Sequence, residues 1–353
     1  MRYRLLGSSG LRVSQFALGT MTFGERRAWG IDEPTARLIL DGFAEAGGTF
    51  IDTANIYADG NSERILGDFL RSDRDRFVVG TKYTLQTRPD DLNSAGNHRK
   101  NLVRSVEASL RNIGTDYLDL LWVHTREAWT PIATVMRALD DLVRSGKVLY
   151  IGVSDWPAWE VAEANTTARL AGWTPFVALQ SRYNMLERTP ESELIPMADA
   201  FDLTLVAWGP LAEGRLSGKY LGGGQGRLRA DTTEGIFQHS WTGPAETVNL
   251  VVNIATDIGC TPPQVALAWL MARHGNVIPL LGATSRAQLD ENLAAADIEL
   301  DEEQLRVLDN ASAPALTFPH DLLRRENVTN GTYGDQWRLV DDRGTTYRRS
   351  PRA

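Results

Sequence analysis

The sequence predicts an α/β protein folded as a single (β/α)8 barrel of the TIM type, and three observations lead there. From residue 16 to about residue 296 one alternation recurs: a short apolar run, a polar turn, then an amphipathic stretch of helical period. Such alternation predicts parallel strands joined by helices. The apolar runs number eight, and the stretch that holds them is close to the length usual for such barrels.

In order, strands are expected at residues 16–19, 49–53, 77–82, 117–124, 148–154, 176–180, 204–208 and 277–281. Helices are expected at 34–47, 61–71, 99–113, 131–145, 157–171, 190–200, 244–273 (as two helices) and 285–296. The whole of 1–353 is one domain, with the barrel and its terminal helix at 16–313. Residues 1–15 place a Gly-Ser-Ser-Gly turn between two short alternating runs, a hairpin suited to closing the bottom of the barrel. Residues 222–243 are Gly-rich and come after the seventh strand, on the face where barrel loops build sites, so they are expected to act as a lid. Residues 314–353 form a C-terminal extension with a basic end, TTYRRSPRA.

Composition narrows the function. With 353 residues, 42% of them apolar, the chain can bury a large core. A net charge of −8 argues against nucleic acid as a partner, and no apolar run is long enough to span a membrane. The lone Cys260 cannot form an intramolecular disulfide, and MRYRLLGSSG lacks the apolar centre of a signal peptide, so the expected location is cytoplasmic. On that expectation the N-x-[ST] matches at Asn165, Asn310, Asn327 and Asn330 are chance. The expected partner is a small molecule. Oligomeric state is not legible.

Chemistry is sought where strands end, because polar residues at the C-terminal ends of barrel strands point into a shared mouth. The second strand ends on Asp52, the third on Lys82 and the fourth on His124. Each alone has an ordinary structural reading, as a cap, a solvated strand end or a hydrogen-bonded histidine. Together on consecutive strands they fall within side-chain reach of one another. Only four lysines, Lys82, Lys100, Lys147 and Lys219, stand among 37 basic residues, so the ammonium at 82 looks chosen over a guanidinium. Tyr57 lies five residues beyond Asp52, and a phenol beside an ammonium should have its pKa lowered, which suits a proton donor.

These residues carry a resemblance to the aldo-keto reductases, over about residues 1–313. The strings are FIDTANIY with NSERILGDFL, VVGTKY, RKNLVRSVEASLRNIGTDYLDLLWVH, SGKVLYIGVSDW, QSRYN, LVAWGPLAEGRLSGKY, TPPQVALAWL and GATSRAQLDENL, in that order. The resemblance implies NADPH-dependent reduction of an aldehyde or ketone to an alcohol. Asp52, Tyr57, Lys82 and His124 would form a catalytic tetrad, with Tyr57 as general acid and His124 orienting the carbonyl. Asp52 would also meet the cofactor, beside Gly19, Thr20 and Met21. Ser154, Asp155 and Gln180 would hold the nicotinamide carboxamide, and Trp208 would stack on the ring. Gly209, Pro210, Leu211, Gly214 and Lys219 would cover the pyrophosphate. Gly282, Thr284, Ser285, Arg286, Gln288 and Asn292 would grip the adenosine end, helped by a helix N-terminus. No metal is implied. No G-x-G-x-x-G comes after a strand, so sequence rules alone would miss a dinucleotide.

Two departures stand out. Asp155 occupies a place where many members have asparagine. In the strip GATSRAQ, glycine and glutamine replace the lysine and arginine that grip the 2′-phosphate in many members, leaving Arg286 as its anchor. NADPH is still expected over NADH, by a smaller margin. The substrate pocket would draw on residues 23–29, 125–129, 222–243 and the tail after Leu316, with Trp29, Trp129, Trp156 and Trp241 as candidate walls. Competing readings are a nucleotide-linked keto-sugar reductase and a nicotinamide-binding regulatory subunit similar to channel β subunits.

Overall fold

The computed structural model describes residues 1–26, 28–221, 245–273, 276–334 and 336–339. The expected lid at 222–243, with Trp241, lies outside them. A hairpin comes first: β1 (Tyr3–Leu5) and β2 (Arg12–Ser14) pair antiparallel around a 3-10 turn at Gly7–Ser9. Eight parallel strands then close a barrel: β3 (Ala17–Gly19), β4 (Phe50–Asp52), β5 (Val78–Tyr83), β6 (Leu118–Val123), β7 (Val148–Ser154), β8 (Ala178–Arg182), β9 (Thr204–Trp208) and β10 (Val277–Gly282). Each pairs with the next in chain order, and β10 returns to β3.

Helices α1 (Glu33–Glu45), α2 (Asn61–Leu70), α3 (Arg99–Ile113), α4 (Ile132–Arg144), α5 (Ala158–Ala171) and α6 (Leu194–Phe201) alternate with the strands through β9. After them come α7 (Ala245–Ile258), α8 (Pro262–Met271), α9 (Arg286–Leu293) and α10 (Glu302–Ser312). Short helices at His320–Leu323 and Glu326–Tyr333 lie in the extension. Local chemistry sets the ends. Asp32 accepts from Thr35 N at the start of α1, Asp301 and Gln304 form a capping box at α10, and Gly114 and Gly172 take left-handed backbone after α3 and α5.

Several boundaries differ from expectation. Strand β5 runs one residue past Lys82, to Tyr83, and β6 stops at Val123, so His124 is the first residue beyond its strand. Strand β8 begins at Ala178 rather than 176, because the Asn165 side chain bonds both the N–H and the C=O of Phe176 and removes it from the ladder. Asn165, a formal glycosylation match, is therefore fully buried structure. The helix expected at 190–200 begins at Leu194, because Pro196 is tolerated only in a first turn.

Two cores arise from the strand period. In β4–β10, odd-numbered side chains such as Ile51, Val79, Leu121, Val153 and Leu179 face outward and meet the helices, whereas in β3 it is Leu18 that does so. Even-numbered ones, Phe50, Val78, Leu120, Trp122, Ala178, Val206 and Ile278, fill the barrel, and Leu6 and Val13 of the hairpin region join them from below. Buried on both faces, the strands read as continuous apolar runs rather than as alternation. Trp122 fits only because its neighbours are glycines. A Cβ at Gly152 would stand 2.4 Å from its Cε3, and one at Gly80 would stand 2.7 Å from its Nε1. Asp52 and Lys82 continue the inward series of Phe50 and Val78, two and four residues further on, and so emerge above Trp122.

Candidate active site

The parity that fills the barrel also aims its upper ends. Asp52 and Lys82 form a salt bridge with both side chains 1% exposed. The Lys82 ammonium has three protons, and each is committed: to Asp52 Oδ2, to the Thr53 carbonyl at 2.9 Å and to the Tyr57 hydroxyl at 3.2 Å. Asp52 Oδ1 accepts from Gln180 Nε2 at 3.0 Å. Because Tyr57 accepts from Lys82, its own proton must point elsewhere, and the direction left is the cleft it lines. A tight turn sets Tyr57 there. Ala58 and Asp59 hold φ of 46° and 55°, and Gly24 lets the loop before α1 approach, since a Cβ there would come within 2.6 Å of the Ala58 Cβ.

Electrostatics depart from expectation at Tyr57. Burial raises its pKa above the ordinary phenol value, and Lys82 only partly opposes this. The phenol is therefore not acidified but kept protonated, the state a donor requires. Burial works against the Lys82 ammonium, yet Asp52 and Tyr57 outweigh it and hold lysine above its usual value. His124, whose ring meets that of Tyr57 edge-on with centroids 6.2 Å apart, is driven well below the ordinary histidine value by burial and by Lys82. It is a neutral imidazole, and its NMR signals are expected not to titrate between about pH 5 and 8; a midpoint in that range would refute this.

These residues sit at one end of a cleft of about 1250 Å³. Gly19, Met21, Asp52, Tyr57, His124, Ser154, Asp155, Gln180, Trp208, Gly209, Pro210, Leu211, Gly214, Lys219, Gly282, Thr284, Gln288 and Asn292 all line it. Four of the residues assigned from sequence to catalysis or the cofactor do not: Thr20, Ser285, Arg286 and Lys82, which is buried behind Asp52 and Tyr57. The Thr20 hydroxyl is buried between the Asp52 carbonyl and Ser62, and Ser285 caps α9 by accepting from Gln288 N. Arg286 pairs with Asp290 at 2.8 Å and with Glu45 of α1 at 3.1 Å.

Among the tryptophans, Trp29 lines the cleft, whereas Trp156 is buried against Phe176 and Trp129 is 95% exposed. No described residue beyond Asn292 lines it. Glu213 and Ser217, within the expected Gly209–Lys219 segment, also line it, whereas sequence reasoning passed over Leu85, Thr261 and Glu291, which do too. Thr261 carried a visible signal, since Thr-Pro-Pro before an apolar run marks a helix start, and α8 indeed opens there, with Thr261 N–H donating to the Gln264 side chain.

The cleft suits a dinucleotide by its donors. Hydroxyl, carboxyl and amide groups of Ser154, Asp155 and Gln180 line it together with Trp208, Gly209, Pro210, Leu211, Gly214 and Lys219. The far end meets the N-terminus of α9, which favours anions. Among the described residues, no group of side chains is arranged to hold a metal ion.

Comparison with known proteins agrees with this architecture. The sequence profile of the Aldo/keto reductase family matches residues 15–313. Norsolorinic acid reductase of Aspergillus flavus is 37% identical over 354 aligned positions, covering 96% of this chain and 89% of that protein. The aldo-keto reductase ausK of Aspergillus calidoustus is 35% identical over 94% of this chain and 87% of its own. The aryl-alcohol dehydrogenase [NADP(+)] of Phanerodontia chrysosporium is 35% identical over 90% of this chain and 88% of its own. With its eight-stranded barrel and its match across nearly the whole length, the chain belongs to the aldo/keto reductase family.

Proposed function

We propose that this enzyme reduces an aldehyde or ketone to an alcohol, with an aromatic carbonyl compound as its substrate class. NADPH, when bound, supplies the hydride. The observation that carries the reading is the hydrogen-bond pattern at Lys82, which leaves the Tyr57 hydroxyl with a proton for the cleft. As the carbonyl oxygen gains negative charge, Tyr57 gives up that proton, and Lys82 stabilises the phenolate left behind. Asp52 holds Lys82 in place. Neutral His124 hydrogen-bonds the carbonyl oxygen and fixes its approach. Met21, Trp29, Ile31 and Leu85 line the same cleft with apolar surface suited to an aryl group. The names of the fungal relatives support that class.

Ser154, Asp155 and Gln180 would hold the carboxamide, Trp208 would stack on the ring, and Lys219 would meet the pyrophosphate. Steady NADPH oxidation with a panel of aryl aldehydes tests the activity, and its absence across the panel would overturn it. Arg286 is the anchor for the 2′-phosphate, but it is shared with Glu45 and Asp290. The preference for NADPH over NADH is therefore expected to stay within about tenfold. Arg286→Ala should weaken NADPH binding by roughly three- to tenfold and leave NADH binding unchanged, as read by tryptophan fluorescence; equal losses for both would remove Arg286 from the site.

A further inference from the structure

Four carboxylates line the cleft among the described residues: Asp52, Asp155, Glu213 and Glu291. Asp52 is neutralised by Lys82. Asp155 differs. It leaves β7 on a left-handed turn with φ of 52°, and its Oδ1 accepts from Trp208 Nε1 at 3.0 Å. Among the described residues it forms no ion pair, and the cations acting on it, Arg182 of β8 and Lys82 of β5, do so without direct contact. Its charge is also felt at the Tyr57 phenol.

The placement of Asp155 against the reacting atoms rests on the function proposed above. A hydride donor must come within about 3–3.5 Å of a carbonyl carbon whose oxygen is at the Tyr57 hydroxyl. That requirement would bring its ring to the part of the cleft lined by Asp52 and Tyr57, and Asp155, whose charge reaches the Tyr57 phenol, lines the same cleft. The reduced nicotinamide ring is neutral and the oxidised ring is a cation. We propose that the Asp155 carboxylate makes this site discriminate by redox state, binding the oxidised cofactor more tightly relative to the reduced one than a neutral residue would. In a buried site such an attraction is far less attenuated than in water. The enzyme-bound equilibrium is thereby drawn towards reduction of the carbonyl, the direction in which the bound cofactor becomes the cation.

Protonation of Asp155 would erase the effect within an accessible range, since burial, opposed by Trp208, Ser154, Arg182 and Lys82, pushes its carboxyl up to about 6. Across that range Lys82 stays charged, while Tyr57 and His124 stay neutral. Asp155→Asn removes the charge and keeps an acceptor for Trp208, and asparagine is at home in left-handed backbone, so the variant should fold.

The experiment is a tryptophan-fluorescence titration of the full-length protein with NADP+ and with NADPH, near pH 5.5 and near pH 8. The 2′-phosphate also titrates near pH 6, but it is common to both cofactors and cancels in the ratio of their Kd values. In the wild type, Kd(NADP+)/Kd(NADPH) is expected to fall about tenfold from the lower pH to the higher, the factor of one pKa unit. In Asp155→Asn it should stay near the low-pH value at both. A ratio constant within about twofold in the wild type would overturn the charge effect while leaving the nicotinamide site standing. A pH-dependent ratio that persists in the variant would assign the effect to another group and equally overturn it. Failure of both cofactors to bind the wild type would overturn this proposal and the reading beneath it.

Discussion

Tyr57→Phe is expected to lower turnover of any accepted aldehyde by about 10²–10⁴-fold, the range of a lost general acid, while NADPH affinity stays within about twofold. The ring and its edge-on contact with His124 survive the change. What disappears is the acceptor of Lys82's third proton and the one proton the arrangement directs into the cleft. A tyrosine that merely packed at the rim would lose little. Retention of more than about a tenth of wild-type kcat, a barrier change under roughly 1.4 kcal/mol, would therefore remove Tyr57 from the chemistry. Deuterated NADPH should give an isotope effect in the wild type, which establishes that hydride transfer is visible in turnover.

Lys82→Met should damage stability as well as rate. It leaves Asp52 fully enclosed without its cation, with Gln180 donating to it at 3.0 Å, and breaking a buried pair from one side typically costs about 3–5 kcal/mol. The pH dependence has a definite sign. Without the ammonium, burial raises the folded-state pKa of Asp52 further above its unfolded value of about 3.9. A group raised in this way contributes stability below the unfolded pKa and loses it as pH rises through the folded one. The deficit against wild type should thus be small near pH 4 and large at neutral pH, as measured by urea unfolding. Adding Asp52→Leu should recover part of the lost stability but none of the activity, because replacing both partners leaves no buried charge. A deficit independent of pH would mean that packing, not charge, was lost.

Much of this was legible in the chain because the barrel writes its topology into period and order. Eight apolar runs became eight strands, and the polar residue closing an apolar run pointed to Asp52, Lys82 and His124. The structure brings these three and Tyr57 together. Less visible was anything that depends on residues far apart in sequence. Arg286 reads as a free cation until Glu45, on the first helix, is seen beside it. The Tyr57 phenol reads as acidified while only Lys82 is considered, and burial reverses the sign. Trp122 looks like one more strand residue, although it depends on Gly80 and Gly152 in two neighbouring strands. Strand ends shifted for local reasons of the same kind, as where Asn165 draws Phe176 out of the ladder.

The hairpin beneath the barrel has a consequence for ionic strength. Leu6 and Val13 close the lower end over Phe50, Val78, Leu120 and Trp122, so mobile ions can approach the Asp52–Lys82 pair only through the cleft. Salt screens exposed charges over a Debye length of about 8 Å at physiological ionic strength and acts much less on buried ones. Added salt should compete with the phosphates of the cofactor at the open end and raise its Kd. Once ligand fills the cleft, the same salt has no path to the pair, and kcat at saturation should hold nearly constant.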